Sequence, residues 1–161
     1  MTTENISITP LQSHQILQAY PLIQTGDRNC SLAQWKNDAE RLIQLPEHRG
    51  GILAVQNANS YLHGLTTYEL DDTLPQQRLL HIHYFIIVDL LVETMGPRLL
   101  RRLENLSESL ECQGITINLS NLPNIGLLAG CNTSTSLLTR AGYKPQTIML
   151  TKESSLSQHA G

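Results

Sequence analysis

The stretch Leu79–Leu119, LLHIHYFIIVDLLVETMGPRLLRRLENLSESLECQGITINL, decides how this chain is read. It opens on the most apolar run in the sequence, which predicts a central strand. Gly96-Pro97 then breaks the pattern, and proline suits the first turn of a helix, where its missing N–H costs little. Leu99, Leu103, Leu106 and Leu110 follow at helical spacing, which marks a buried stripe. Gly114 is placed to end that helix, so the expected span is Pro97 to Cys112. ITINL, from Ile115, alternates as a strand does. Strand, helix and strand in this order make a parallel pair joined by a right-handed crossover.

The charges on that helix are in an unfavourable order. Arg98, Arg101 and Arg102 crowd its front, and Glu104, Glu108 and Glu111 its back. A cation at a helix N-terminus loses roughly 0.3–1 kcal/mol to the dipole. One explanation is an anion seated there, since the unpaired N–H groups of a helix start suit phosphate oxygens and Gly96 lets the backbone approach. The other is a solvated face, with Arg101 and Glu104 paired one turn apart.

Working outward, ISITPL from Ile6 to Leu11 alternates as a first strand. A short helix follows, limited by Pro21. Ser31 to Pro46 reads as a stronger helix, with Ser31 and Gln34 in capping-box spacing and Leu32, Trp35, Ala39, Leu42 and Ile43 on one face. ILAVQNA is a strand. The β-rich runs on either side of a polar turn, Asp71 to Gln77, predict a hairpin. After ITINL come a loop, a short helix capped by Asn132 or Thr133 and ended by Gly142, and a last strand PQTIMLT. The order β-α-α-β-β-β-α-β-α-β predicts an α+β fold with a mixed, mostly antiparallel sheet flanked by helices. Residues 1–152 read as a single domain and residues 153–161 as a frayed tail.

Composition narrows the function. The chain has 161 residues, a net charge of −3 and 16% charged residues, which argues against nucleic acid or an acidic membrane as partner. Three scattered cysteines, Cys30, Cys112 and Cys131, without ligand spacing fit a reduced, cytoplasmic setting. Cys112, on the apolar stripe, reads as core, and Cys131 as loop. The first residues carry no signal-peptide pattern, and YFIIVDLLV is too short to cross a bilayer.

The element order, the long strand running into a glycine-bearing turn and an amphipathic helix, and the ending LLTRAGYKPQTIMLTK with its Gly142-Tyr143 dipeptide resemble the GCN5-related N-acetyltransferases (GNAT). The resemblance runs from Ile6 to about Lys152. It implies the acyl-CoA N-acyltransferase fold, acetyl-CoA as co-substrate, no metal, and transfer of the acetyl group to an amine. It places the CoA diphosphate at the turn and helix start, on Val92, Thr94, Met95, Gly96 and Arg98, with positive field from Arg98, Arg101 or Arg102. It also implies that a strand amide among Ile86, Ile87 and Val88 polarises the thioester carbonyl, and that Asn132 stands near the asparagine of the following helix. Within the family's Q/R-x-x-G-x-G/A pattern, Gly96 takes the last position, Thr94 the first glycine and Leu91 the Gln/Arg. Leu138 stands where many members carry a tyrosine acid, and Tyr143 reads as a packing residue.

His81 and His83 fall on the same face of the long strand. A hairpin folded about residue 74 would bring His63 to that face near Phe85, together with Thr67 and Glu69. Three readings stay open: a general base, His81 or His83, for the attacking amine; a three-histidine metal site; or polar residues under loops or at a dimer contact. Glu69, Asp71 and Asp72 form an acidic tip that either draws a cationic amine or is a solvated turn. The leading expectation is an N-acetyltransferase acting on a small-molecule or peptide amine, compatible with a homodimer. The alternative is a catalytically inactive binding or regulatory module on the same fold.

Overall fold

The computed structural model describes residues 5–74, 76–118 and 133–144. Its five-stranded sheet runs in the order β1 (Ser7–Pro10), β2 (Gly50–Gln56), β3 (Leu62–Leu74), β4 (Gln77–Ile87) and β5 (Gly114–Ile117). Neighbours pair antiparallel except β4 and β5, which are parallel. α1 (Ile16–Gly26) and α2 (Leu32–Gln44) join β1 to β2. α3 (Val92–Ser109) makes the crossover from β4 to β5, and α4 (Thr133–Arg140) follows. The mixed α+β architecture expected from the sequence is therefore present. The last strand, residues 145–151, the tail 153–161, Cys131 and Asn132 lie outside the described residues.

Each face of the sheet carries its own core. Leu53, Val55, Tyr68, Leu80, Ile82, Phe85 and Ile87 pack against Val92, Met95, Leu99, Leu100 and Leu103 of α3 and Leu137 and Leu138 of α4. On the other face Ile52, Ala54, Leu65, Tyr84 and Ile86 pack under Ile16, Ala19 and Ile23 of α1 and Trp35, Ala39 and Leu42 of α2. In β4 the α3 face takes Leu80 and Ile82, then Phe85 and Ile87. The parity changes because the register steps from Tyr68↔Ile82 to Thr67↔Tyr84, leaving His83 as the extra residue of a β-bulge.

The capping box of α2 forms as read: the Gln34 N–H donates to Ser31 Oγ at 3.1 Å, and the Ser31 N–H donates to Gln34 Oε1 at 2.9 Å. Four expectations are corrected. α1 runs through Pro21 rather than stopping there. The hairpin strands extend through Leu74 and resume at Gln77, so Asp71 to Leu74 is strand, not turn. α3 begins at Val92 and holds Pro97 inside it, where Pro97 was expected to open the helix. Its C-terminus is closed by Glu111 at φ 58, not by Gly114, which opens β5.

Both ends of that last correction have local causes. Cys112 N–H reaches Ser107 O at 2.9 Å and Glu111 N–H reaches Glu108 O at 3.0 Å, the paired bonds of a Schellman motif. α4 ends in the same way, with Tyr143 N–H to Leu138 O at 3.0 Å, Gly142 N–H to Thr139 O at 3.1 Å and Gly142 at φ +95. At the front of α3, Val92 and Met95 are buried with Leu99. Extending the helix backward puts this apolar trio on the sheet, and that gain offsets the carbonyl Pro97 leaves unpaired one turn upstream.

Candidate active site

The bulge at His83 organises the face of the sheet under α1 and α2. Alternation puts His81 on that face, since Leu80 and Ile82 point to α3. The rings of His81 and His83 meet edge to face with centroids 4.6 Å apart. Tyr84, which strand alternation alone would turn away from His83, belongs to the same face. Both histidines and the tyrosine thus stand together, as expected for the histidine pair and unforeseen for Tyr84.

His81 Nδ1 lies 2.7 Å from Thr116 Oγ1 on β5. With Nδ1–H donating to that hydroxyl, Nε2 keeps its lone pair for a proton. Burial, followed by the neighbouring His83, holds the His81 pKa below the usual imidazole value, against the pull of Asp71 and Glu69. His81 is therefore neutral at neutral pH.

His63 does not join this pair. Its carbonyl accepts the Val88 N–H at 2.9 Å, beyond Gly64↔Ile87, whereas His81 pairs with Glu69 toward the other end of the hairpin. The three-histidine reading loses its geometry, and Phe85, expected to lie near His63, pairs instead with Thr66. The acidic tip is also committed. Glu69 receives Arg41 at 2.9 and 3.1 Å, Asp72 receives Arg49 at 2.7 and 3.3 Å, and Asp71 accepts from Thr73.

Next to Tyr84 a hollow of about 510 Å³ opens between the α1–α2 turn and β4, lined by Asp27, Asn29, Cys30, Gln34, Asn37, Asp38 and Tyr84. Hydrogen bonds tie the side chains around and behind it. Tyr84 Oη donates to Asp27 Oδ2 at 3.3 Å, Tyr20 Oη donates to Cys30 O at 2.8 Å, and Trp35 Nε1 donates to Ile16 O at 2.8 Å. The Trp35 and Tyr84 rings meet edge to face at 6.3 Å. Burial raises the Cys30 thiol and the Tyr84 phenol above their usual values, so neither ionises readily. Asp27, Asp38, Tyr84 and Thr116 were not singled out from the sequence. The one available signal was Gln34, Asn37 and Asp38 at i, i+3 and i+4, a polar stripe on α2.

The expected diphosphate cradle is rearranged. A 3₁₀ turn, Asp89–Leu91, runs directly into α3, so the amides of Gly96 and Arg98 fall inside the helix and Pro97 has none. The helix start carries Asp89 and Glu93, carboxylates that a helix dipole favours. Arg98 sits in the second turn with Nη1 at 3.4 Å from Met95 Sδ, so the arginines no longer crowd the helix start, while Glu108 remains in the last turn, where the dipole disfavours it. Val92, Met95 and Gly96 are buried, which leaves Thr94 and Arg98 exposed among the residues assigned to the cradle. Gly96 packs under Leu137, not against open space. Arg101 lines a separate groove of about 500 Å³ between α3 and α4, with Glu93, Glu104, Leu137 and Arg140. There Arg140 Nη2 bonds both Glu93 oxygens at 3.1 and 3.2 Å.

Of the strand amides, Val88's is spent on His63 O. Alternation in an antiparallel ladder turns Ile86's the same way and Ile87's the other, toward β5. The β4–β5 pairing ends at Ile82↔Ile117, while β4 continues to Ile87. Leu138 is buried in the α3 core, and Tyr143 packs against it with a phenol pushed up to about 12 by burial. Cys112 joins the same core.

This arrangement is the fold of the GCN5-related N-acetyltransferases, as the sequence resemblance implied. An aminoglycoside N-acetyltransferase in complex with CoA aligns at TM-score 0.72 and 8% identity, over 95% of this chain and 98% of that one. Glucosamine-6-phosphate N-acetyltransferase from Arabidopsis thaliana aligns at TM-score 0.65 and 10% identity, over 92% and 98%. A transcriptional regulator from Bacillus halodurans aligns at 0.69 and 8%, over 92% and 99%. No family model and no curated protein matches the sequence. No helix among the described residues is long and apolar enough to cross a membrane.

Proposed function

We propose that this chain transfers an acetyl group from acetyl-CoA to a primary amine. The bulge at His83 carries the reading: it turns Tyr84, which lines a hollow bearing carboxylates, to the sheet face that also holds a neutral imidazole and a second histidine. Asp27 and Asp38 attract an ammonium, and His81 or His83 takes its proton so that the neutral amine attacks the thioester. Thr116 holds the imidazole in the tautomer that accepts. The Ile87 amide is the one that faces the developing oxyanion. Solvent protonates the departing thiolate. The anionic end of CoA meets Arg101 and Arg140 in the α3–α4 groove instead of amides at Gly96.

The test is release of free CoA from acetyl-CoA over a panel of amines, with H81Q and H83Q variants alongside wild type. Loss of the base should lower turnover by roughly 10²–10⁴-fold. Equal turnover by the H81Q/H83Q double variant would remove the histidines from the chemistry.

A second reading, a non-catalytic module on this fold, draws support from one observation. Asp89 and Glu93 stand where an incoming diphosphate needs donors. Thermal shift separates the two. Acetyl-CoA at 100 times its Kd stabilises by about 2.7 kcal/mol, or roughly 5–10 °C for a chain of this size. No shift with millimolar acyl-CoA would favour the module.

A further inference from the structure

The hollow beside Tyr84 has a lining that selects among amines. It presents two carboxylates, Asp27 and Asp38, three carboxamides, Asn29, Gln34 and Asn37, and the Tyr84 phenol, with no lysine or arginine among the described residues. Asp27 is already engaged: its Oδ1 accepts the Asn29 N–H at 3.1 Å and its Oδ2 the Tyr84 hydroxyl at 3.3 Å. Gln34 is engaged in the α2 cap. Asp38 makes no hydrogen bond or ion pair to another described residue, and the nearby cation, Arg41, is held by Glu69. One committed carboxylate, which is locked to the wall, therefore stands with a second that has its oxygens available.

Carboxamides both donate and accept, so they suit hydroxyl groups in either role. A carboxylate pair adds attraction for an ammonium and repulsion for a phosphate. An apolar or aromatic ligand finds little to cover here, since the wall it would need is sealed under Trp35 and Tyr84. We infer that this hollow binds an unphosphorylated, hydroxyl-rich primary amine of the amino-sugar class, with the ammonium at Asp38 and the hydroxyls at Asn29 and Asn37. Tyr84 of its lining adjoins His83 in the chain, and that adjacency makes the bound amine the acyl acceptor. That last step rests on the acetyltransferase reading, whereas the binding does not.

The test is calorimetric titration of the protein, without CoA, against glucosamine, glucose and glucosamine 6-phosphate. Glucosamine should bind at least tenfold more tightly than either of the others. Asp38→Asn should weaken glucosamine at least fivefold and leave glucose unchanged, with the melting temperature little changed because Asp38 is exposed and its side chain hydrogen-bonds no other described residue. Asn37→Ala, equally exposed, should weaken both glucosamine and glucose. Glucosamine 6-phosphate binding as well as glucosamine, unchanged affinity in D38N, or no binding of any of the three at tens of millimolar would each overturn the inference. The acetyltransferase reading falls separately: glucosamine binding with the expected selectivity, but without CoA release in the presence of acetyl-CoA, keeps the hollow and removes the transfer.

Discussion

Gly96 of α3 lies directly beneath Leu137 of α4, so closely that a β-carbon at residue 96 would meet Leu137 Cδ2. This contact fixes how near α4 sits to the helix that follows the central strand. A glycine that reads in sequence as a place for a ligand to approach is instead a place for a helix to approach.

Gly96→Ala should destabilise the protein by about 1–2 kcal/mol, because overpacking outweighs the gain in helix propensity of up to about 1 kcal/mol. The atom met is the tip of a flexible side chain, so the protein should fold. Gly96→Leu should cost more, roughly 3 kcal/mol, by forcing α4 outward. Chemical denaturation measures both. A neutral or stabilising alanine would show that α4 yields freely at this point.

Gly142→Ala separates conformational strain from packing. Residue 142 sits at φ +95 and an added Cβ meets nothing within 4 Å among the described residues. The whole penalty, about 1–2 kcal/mol, therefore comes from holding an L-residue in the left-handed region. Gly142→Asn should recover part of it, and thermal melts of the two variants compare them directly.

His81 makes stability depend on pH in a defined window. Its folded pKa lies below the unfolded value of 6.5, so above 6.5 both states are neutral and no difference arises. Below 6.5 the unfolded chain takes a proton that the folded chain resists, and stability falls as pH drops toward the folded pKa. His81→Gln should flatten the melting temperature between pH 7.5 and 5 relative to wild type. An unchanged slope in the variant would place the imidazole in a solvated setting.

Thr116→Val keeps the shape and removes the hydroxyl that holds His81 Nδ1. The loss of one hydrogen bond, about 0.5–1.5 kcal/mol, corresponds to a two- to tenfold drop in kcat/KM if His81 is the base. The expected signature is a lower kcat with a shifted acidic limb in the pH profile, and little change in KM. A variant that retains both the rate and the pH profile would leave Thr116 only a structural role.

Glu93→Gln frees Arg140 from an exposed ion pair and removes a negative charge from the start of α3. Exposed pairs of this kind contribute about 0.2–1 kcal/mol, so CoA should bind up to roughly fivefold more tightly to the variant. Arg140→Gln should act in the opposite direction. Weaker CoA binding in E93Q would mean that Glu93 contacts the ligand rather than competing with it.

Much of the secondary structure was legible because its signals are local. The Ser31–Gln34 box, the alternation of β1, the apolar run of β2, the leucine stripe of α3 and the glycine at the end of α4 each declare themselves within a few residues. The site was legible only in part. His81 and His83 share a face because side chains alternate along a strand, whatever the partner. Where His63 falls depends on hairpin register, and the Thr67/Tyr68 register shift lies outside any local pattern.

What the sequence determined by itself was the order of elements from β1 to α4, a mixed sheet flanked by helices and the parallel unit around α3, since periodicity and caps are properties of neighbouring residues. What only the tertiary structure decided was the start of α3, the bulge at His83 and the gathering of Asp27, Asp38 and Tyr84 around one hollow. Pro97 argues locally for a helix start, but burial of Val92 and Met95 on the sheet outweighs it. Hydrogen bonding between β3 and β4 sets which residue bulges, and that balance belongs to the pair of strands rather than to either one.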